Sequence, residues 1–551
     1  MKRRTERQRG SLRLCSDRRE TKEQILSSRT SLYQYNVGLI DIANMDMVDP
    51  EKIIIASERV LLESNIKFGT DGWRAVIARE FTFDNLRLVA QAIGQYLKDE
   101  SFDKKGIFIG YDNRFLSEEF GLEAGKVLSS MGFKVYIAEE AVPTPVTAFM
   151  VRDLKLDGAL MITASHNPSR YNGIKFIPYY GGPALAEITE NIEINLKKIA
   201  DGSVKKVDIY SIDNKSLESK ISIISDFNNY KKSLISLLDV DLIKNSELKV
   251  TVDTMNGAAF HIMPDILQND LGLEIDVLNG DRDPLFGGKL PDPSEKNLSD
   301  LKVAMIENSS DIGLALDGDA DRFGVIDRKG VFLNPNNIIS LCLYYLLLTR
   351  KYEKDDSVVR TVATTHLLDA ICKKNNINLI EKPVGFKYIG KEMLNGKIII
   401  GGEESGGLSI KDHIPEKDGL IANLLLLEIQ AYLKNKYGNF YISDYLEKIY
   451  EEFGTFYNTR LDLNVPEKRK DVIIEYFSGL ENHKLEKRVV KELLNIDGAK
   501  VVFDDGSWVL VRASGTEPLI RCYIESTDKI FFEILKDFVN KKIDRLVDQY
   551  E

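Results

Sequence analysis

Short apolar runs ending in glycine and polar residues alternate along this chain with stretches of helical spacing. "LRLVAQAIGQYL" repeats its apolar positions every three or four residues and predicts a helix. "KGIFIGYDNR" (105–114) is a β-rich run that breaks into polar residues. "FKVYIAEEAVPTPVTAFMV" gives strand, Pro-punctuated loop and helix start, and "DGALMITASHNP" gives strand and loop again. Alternation of this kind argues for parallel βαβ units, with ligands at the carboxyl ends of the strands.

The theme restarts twice. "SELKVTVDTMNGAA" (246–259) opens a second unit that runs through "DIGLALDGDADRFGVID" (311–327). A third begins with the apolar stretch "IISLCLYYLLL" (338–348), about half a membrane span and so read as a buried helix. It continues through "INLIEKPVGFKYIG" and "KIIIGGEESGG". Beyond about residue 440 the pattern changes. "AKVVFDDGSWVLVRAS" reads as a hairpin around Asp-Asp-Gly, followed by a strand and the amphipathic helix "KIFFEILKDFVNKKIDRLV". The expected boundaries are 51–242, 243–333, 334–440 and 441–551, three related mixed α/β domains plus a smaller α+β C-terminal domain. Residues 1–50 stand apart as an extension, with ten Lys or Arg against four Asp or Glu in the first thirty. They are disordered, a targeting segment, or upstream of a true start at Met45 or Met47, and the last reading is preferred.

Composition adds exclusions. The 551 residues suffice for roughly three to five domains. A net charge of -11 argues against a nucleic-acid binder. Neither a membrane span nor the apolar segment of a signal peptide is visible. Cys15, Cys342, Cys372 and Cys522 are scattered without a CxxC pair, which excludes a zinc ribbon and fits unpaired thiols in the cytoplasm.

The chemistry lies in the loops. In "LALDGDADRFG" an apolar strand delivers Asp317, Asp319 and Asp321, which repel one another unless a hard cation, Mg²⁺ first, neutralises them. A calcium EF-hand fails on spacing, because its sixth position is Arg322 and its twelfth is Arg328. Arg322 suggests that a phosphate arrives there. "RASGTEPLIR" has the composition of a phosphate cradle, with Arg512, Ser514, Gly515, Thr516 and Arg521. "GGEESGG" offers Glu403 and Ser405 to sugar hydroxyls, and "FGTDGWR" and "PVGFKYIG" carry Arg74 and Lys387.

"ITASHNPSRYNGIKF" (162–176) ends a strand in Ser165, with Lys175 ten residues on, either a plain turn or a nucleophile with a candidate base. A hydrolase triad is not indicated. GxSxG is missing, and adjacent side chains such as Ser165 and His166 are expected to point apart, leaving His166 to shape the loop or touch phosphate.

Taken in this order, "TASHNP", "DGDADR", "GEESGG" and "RASGTEP" resemble the four signature loops of the α-D-phosphohexomutase superfamily, from about residue 66 to the C-terminus. The resemblance implies four domains around one central cleft. It implies a phosphoryl group on Ser165, and Mg²⁺ held by Ser165, Asp317, Asp319 and Asp321. Lys175 would be the general base, its pKa lowered by flanking cations and metal, while Arg322 and Arg74 offset phosphoryl charge. The non-transferring phosphate would rest on Arg512, Ser514, Gly515, Thr516 and Arg521. Lys387, Glu403, Ser405 and Lys417, which resembles a substrate-contacting lysine of phosphoglucomutases, would bind substrate.

Several bacterial relatives carry histidines where this chain has Gly407 and Phe386, and "GEES" leans toward glucose. The implied reaction interconverts glucose 1-phosphate and glucose 6-phosphate through glucose 1,6-bisphosphate, in a monomer or homodimer. Phosphomannomutase or dual glucose/mannose activity follows as an alternative, then phosphoglucosamine mutase or phosphopentomutase. A non-catalytic relative would be expected to have lost Ser165, Lys175 or a triad aspartate, and none is lost. A phosphatase with an aspartyl nucleophile would want a DxDx[TV] loop near the start of its domain.

Overall fold

The computed structural model describes residues 66–69, 71–211, 219–514 and 518–548. The extension, with Cys15, Met45 and Met47, lies outside them. Of the expected phosphate cradle, so do Gly515 and Thr516.

The first sheet has six strands in the order Trp73–Val76, Tyr171–Pro178, Gly158–Ile162, Ile107–Tyr111, Val135–Ala138, Ile221–Ile224. Gly158–Ile162 is buried along its whole length, which is why "GALMI" reads as an unbroken apolar run. The helix Phe83–Asp99 starts where the Thr82 side chain accepts from the Asn85 backbone N–H. The second sheet orders Phe332–Leu333, Phe323–Asp327, Ile312–Leu316, Lys249–Asp253, Glu274–Leu278. The third orders Asn378–Lys382, Ser357–Thr361, Ile398–Glu403, Gly407–Ile410. The expected buried helix is Pro335–Thr349, capped by Asn334 and opened by a proline at its first position.

The parallel expectation needs correction at the strands that matter. Gly158–Ile162, Ile312–Leu316 and Ile398–Glu403 each pair parallel with an inner neighbour. Each then passes through a short loop and returns antiparallel, as Tyr171–Pro178, Phe323–Asp327 and Gly407–Ile410. The same device occurs three times: a buried parallel strand, a loop at its carboxyl end, and an immediate return. It also accounts for the ten-residue spacing of Ser165 and Lys175, because the return strand sets Lys175 opposite Met161.

The fourth domain is an antiparallel sheet in the order Tyr457–Asn464, Leu519–Ser526, Trp508–Ala513, Ala499–Phe503, Arg488–Leu494, Lys484–Leu485. The helices Glu467–Ser478 and Lys529–Asp548 pack on it. The hairpin expected around Asp-Asp-Gly is Ala499–Phe503 with Trp508–Ala513. One apolar cluster runs from Trp73 to Ile449 through the first three domains, and a second, from Val465 to Leu546, is the fourth domain's own core. The helix Ile442–Phe453, assigned by sequence to the last domain, buries Ile442, Tyr445 and Ile449 in the first cluster and packs on Pro335–Thr349. The break therefore falls after it. Cys342, Cys372 and Cys522 are buried free thiols. No helix among the described residues is long and apolar enough to cross a membrane.

Candidate active site

Three return loops, one from each α/β domain, contribute to one group of side chains. Asp317, Asp319 and Asp321 are fully buried, and each offers a carboxylate oxygen within 4.8 Å of the others. The Ser165 hydroxyl, from the first domain, donates to Asp317 Oδ2 at 2.9 Å. Lys175 Nζ lies 2.9 Å from Asp319 Oδ2 and 2.9 Å from Asp321 Oδ2. Asp319 Oδ1 and Asp321 Oδ1 are buried with no hydrogen-bond partner. Two orphaned anionic oxygens beside a third carboxylate and a hydroxyl form an all-oxygen donor set that fits a hard divalent cation. Burial, and then the charges of Asp319 and Asp321, hold the Asp317 carboxyl well above its ordinary range.

Two other basic side chains frame this group. Arg322 donates its backbone N–H to Asp317 Oδ1 at 3.0 Å, and its buried Nε has no hydrogen-bond partner. Arg74 Nη1 donates to Asn167 Oδ1 in the serine loop at 3.1 Å. Both therefore present cationic charge where an anion would meet Ser165.

One expectation is overturned here. Ser165 and His166 do not point apart: Ser165 adopts a left-handed φ of 51°, and its Oγ lies 3.3 Å from His166 Nδ1. The Arg322 charge, burial and Arg74 hold His166 well below the usual imidazole range, so it is neutral, and with the Ser165 proton directed at Asp317 its Nδ1–H is the group that donates to the hydroxyl oxygen. With no cation in the triad, Lys175 is surrounded by acids as well as by Lys417. Burial disfavours its charge, but Asp319, Asp321 and Asp71 outweigh that and raise its pKa.

Two functional neighbours escaped the sequence reading. Asp71, in "FGTDGWR", lies 2.9 Å from Arg74, 3.1 Å from Lys175 and 3.7 Å from Lys417. Thr144, at the start of the helix Thr144–Asp153, donates its hydroxyl to Asp319 Oδ2 at 2.6 Å. Asp71 stood in a quoted motif, but nothing local marks Thr144.

The third return loop brings Glu403 and Ser405 beside Lys417. Glu403 is buried and accepts from the Ser405 hydroxyl at 2.8 Å. Lys417 Nζ lies 3.4 Å from Asp321 and 3.3 Å from Glu416, over the Phe386 ring. Gly407 has no room for a side chain, since a Cβ there would stand 2.6 Å from Lys417 Cδ and 3.0 Å from Glu403 Oε1.

Arg512, Arg521 and Ser514 gather separately in the fourth domain, where Arg512 and Arg521 are direct cross-strand partners. Like charges so placed repel and suit a shared anion. Arg512 pairs with Asp497 at 3.0 Å, and Asp497 also accepts from the Val384 backbone N–H at 3.1 Å. Lys387, in the first turn of the helix Phe386–Met393, feels the same Asp497 charge. Glu404, whose carboxylate accepts from Thr361, acts on Arg512 and Arg460 and joins the third return loop to this group electrostatically.

All four domains of the phosphoglucomutase/phosphomannomutase family match in order, at residues 65–202, 228–330, 334–453 and 463–541. The chain belongs to this family. A phosphoglucomutase/phosphomannomutase from Thermococcus kodakarensis is 30% identical over 83% of this chain and 94% of its own. A phosphoglucosamine mutase from Clostridium botulinum is 31% identical over 87% and 99%. A crystal structure assigned as a phosphomannomutase, from Thermus thermophilus, is 30% identical with a TM-score of 0.73, covering 87% of this chain and 99% of its own. The open form of parafusin, a Paramecium phosphoglucomutase, shares the fold at 24% identity and a TM-score of 0.73, over 88% and 96%. This phosphohexomutase is thus an intramolecular phosphotransferase, an isomerase, and its described loops carry an acidic triad able to hold a metal ion.

Proposed function

We propose that this phosphohexomutase interconverts glucose 1-phosphate and glucose 6-phosphate through a phosphoserine at Ser165 and a glucose 1,6-bisphosphate intermediate. The observation that carries the reading is the Ser165 hydroxyl 2.9 Å from Asp317, inside the acidic triad, with Lys175, Arg74 and Arg322 around it. Ser165, Asp317, Asp319 and Asp321 would hold Mg²⁺. When bound, Mg²⁺ offsets charge on the phosphoryl oxygens and on the carboxylates that otherwise keep Lys175 protonated.

In the forward half the P–O bond to Ser165 breaks as the bond to a sugar hydroxyl oxygen forms, and the hydroxyl proton, taken up by Lys175, ends on the freed Ser165 oxygen. Arg322 and Arg74 face the oxygens on which charge develops. In the return half the sugar's other phosphate passes to Ser165 and the proton goes back. Arg512, Ser514, Gly515, Thr516, Arg521 and Lys387 hold the phosphate that is not moving, and Glu403, Ser405 and Lys417 grip hydroxyls. The "GEES" loop and Ala320 lean toward glucose, and Gly407 and Phe386 let Lys417 lie against Asp321. The buried unpaired thiols support a cytoplasmic setting.

Phosphoglucosamine mutase is the second reading, favoured by the 31% identity to a protein of that name. Initial rates with the 1-phosphates of glucose, mannose, glucosamine and ribose, with Mg²⁺ and a trace of the 1,6-bisphosphate, separate the two. The fastest turnover is expected with glucose 1-phosphate. Dominance by glucosamine 1-phosphate would select the second reading, and no turnover by protein carrying phosphate on Ser165 would reject both.

A further inference from the structure

Ser165 sits in a backbone conformation that costs a non-glycine residue roughly 1–2 kcal/mol, so something must hold its loop. Arg114, the last residue of "YDNR" beyond the strand Ile107–Tyr111, is 1% exposed and runs beneath that loop. All five of its guanidinium N–H groups have acceptors. Nε donates to Asp112 Oδ2 at 3.0 Å. Nη1 donates to the carbonyls of Pro168 at 2.8 Å and Tyr171 at 3.0 Å. Nη2 donates to the carbonyls of Asn167 at 2.7 Å and Ser165. One planar group thus binds four carbonyls of the segment that carries the nucleophile.

The support continues in both directions. Asp112 accepts the Thr163 hydroxyl at 2.6 Å, and Thr163 in turn accepts the Ser165 backbone N–H at 2.8 Å. Ser165 is therefore held at its N–H and its carbonyl by one connected network. From the second domain, the Phe286 ring lies 4.8 Å from the guanidinium carbon. Asn113 donates to the carbonyls of Asn256 and Gly257 at 2.8 and 2.9 Å. The Ser165 carbonyl also abuts Gly318 of the acidic loop, where a Cβ would stand only 2.6 Å from it.

We propose that Arg114 is the positioning residue of the nucleophile, fixing Ser165 against the acidic loop of the second domain. The proposal rests on the reading of Ser165 as the phosphoryl carrier. A lysine cannot substitute, because three donors on a point charge do not span four carbonyls and a carboxylate.

Arg114→Lys is made in the full chain, with the neutral pair Asp112→Asn/Arg114→Met, which strands no buried charge, and with Phe286→Leu, which keeps both charges. Each is followed by thermal unfolding, by kcat and KM with glucose 1-phosphate, and by the rate at which Ser165 takes phosphate from glucose 1,6-bisphosphate, read by intact mass. In folded Arg114→Lys, kcat and the Ser165 phosphorylation rate are expected to fall together by about a hundredfold. KM should stay within about threefold. If neither Arg114 variant folds, Phe286→Leu is expected to lower both rates several-fold at unchanged KM, and unaltered rates there overturn the proposal. Folded Arg114→Lys with the unmodified kcat, or with a loss confined to KM, overturns it as well. An unmodified chain that never takes phosphate on Ser165 brings down the phosphoserine reading and this proposal with it. A chain that does, and is matched by Arg114→Lys, brings down the proposal alone.

Discussion

The Ser165 hydroxyl donates to Asp317 Oδ2 across 2.9 Å, joining residues 152 apart in sequence and in different domains. The contact puts a hydroxyl where a cation could bridge it to a carboxylate, with His166, neutral, 3.3 Å away. Burial of the triad matters as much as proximity, since charges that face no water act on a bound phosphate with little screening.

Ser165→Ala is the sharpest test of that contact. It should lower kcat by at least about 10⁴-fold, and the protein should no longer gain the mass of a phosphate from glucose 1,6-bisphosphate. Thermal unfolding should change little, since the hydroxyl is the only group removed. Residual phosphate uptake in the variant would place the carrier elsewhere.

The crowded triad makes a prediction that runs against intuition. With no cation, three buried carboxylates repel, so Asp317→Asn should raise the thermal midpoint of metal-free protein. The unmodified chain should gain stability on adding Mg²⁺, about 2.7 kcal/mol at a hundredfold excess over Kd. The variant should gain much less. Equal Mg²⁺ responses in differential scanning calorimetry and titration calorimetry would remove the metal from these residues.

The elements that bear the site were legible because each is local: an apolar strand running into a loop of glycine, acid or hydroxyl residues. Asp317, Asp319 and Asp321 lie within one such loop, and so do Glu403 and Ser405. The surroundings of Lys175 were not legible, because Asp71 and the triad reach it from other segments of the chain. The Ser165–His166 contact depends on a left-handed serine, which no residue preference announces. The antiparallel returns were hidden for a related reason: a fully buried strand shows a plain apolar run whatever its direction.

Gly407 is expected to act through Lys417. In Gly407→Ala the new methyl would collide with the lysine stem and with Glu403, moving the ammonium away from Asp321 and Glu416. Glucose 1-phosphate turnover should fall about tenfold, the size of one lost charge-assisted contact. Added to Lys417→Met, Gly407→Ala should then cost little more, because the residue it displaces is already gone. Additive losses in kcat/KM would mean that the glycine serves the loop on its own account.

Glu403 ties stability to pH. Burial, and then the Glu404 charge, push its carboxyl up to about 7 from an ordinary value of 4.5. Across that window the folded chain holds the proton more tightly than the unfolded chain, so this group makes stability fall as pH rises from about 4.5 to about 7. Glu416, also pushed up to about 7 by burial, adds a slope of the same sign. Glu403→Gln keeps an acceptor for Ser405 but removes one of the two slopes. Its thermal midpoint should therefore match the unmodified chain near pH 4.5 and exceed it by about 1–2 °C at pH 8. A gain of equal size at both pH values would assign the effect to packing and leave the carboxyl's proton out of it.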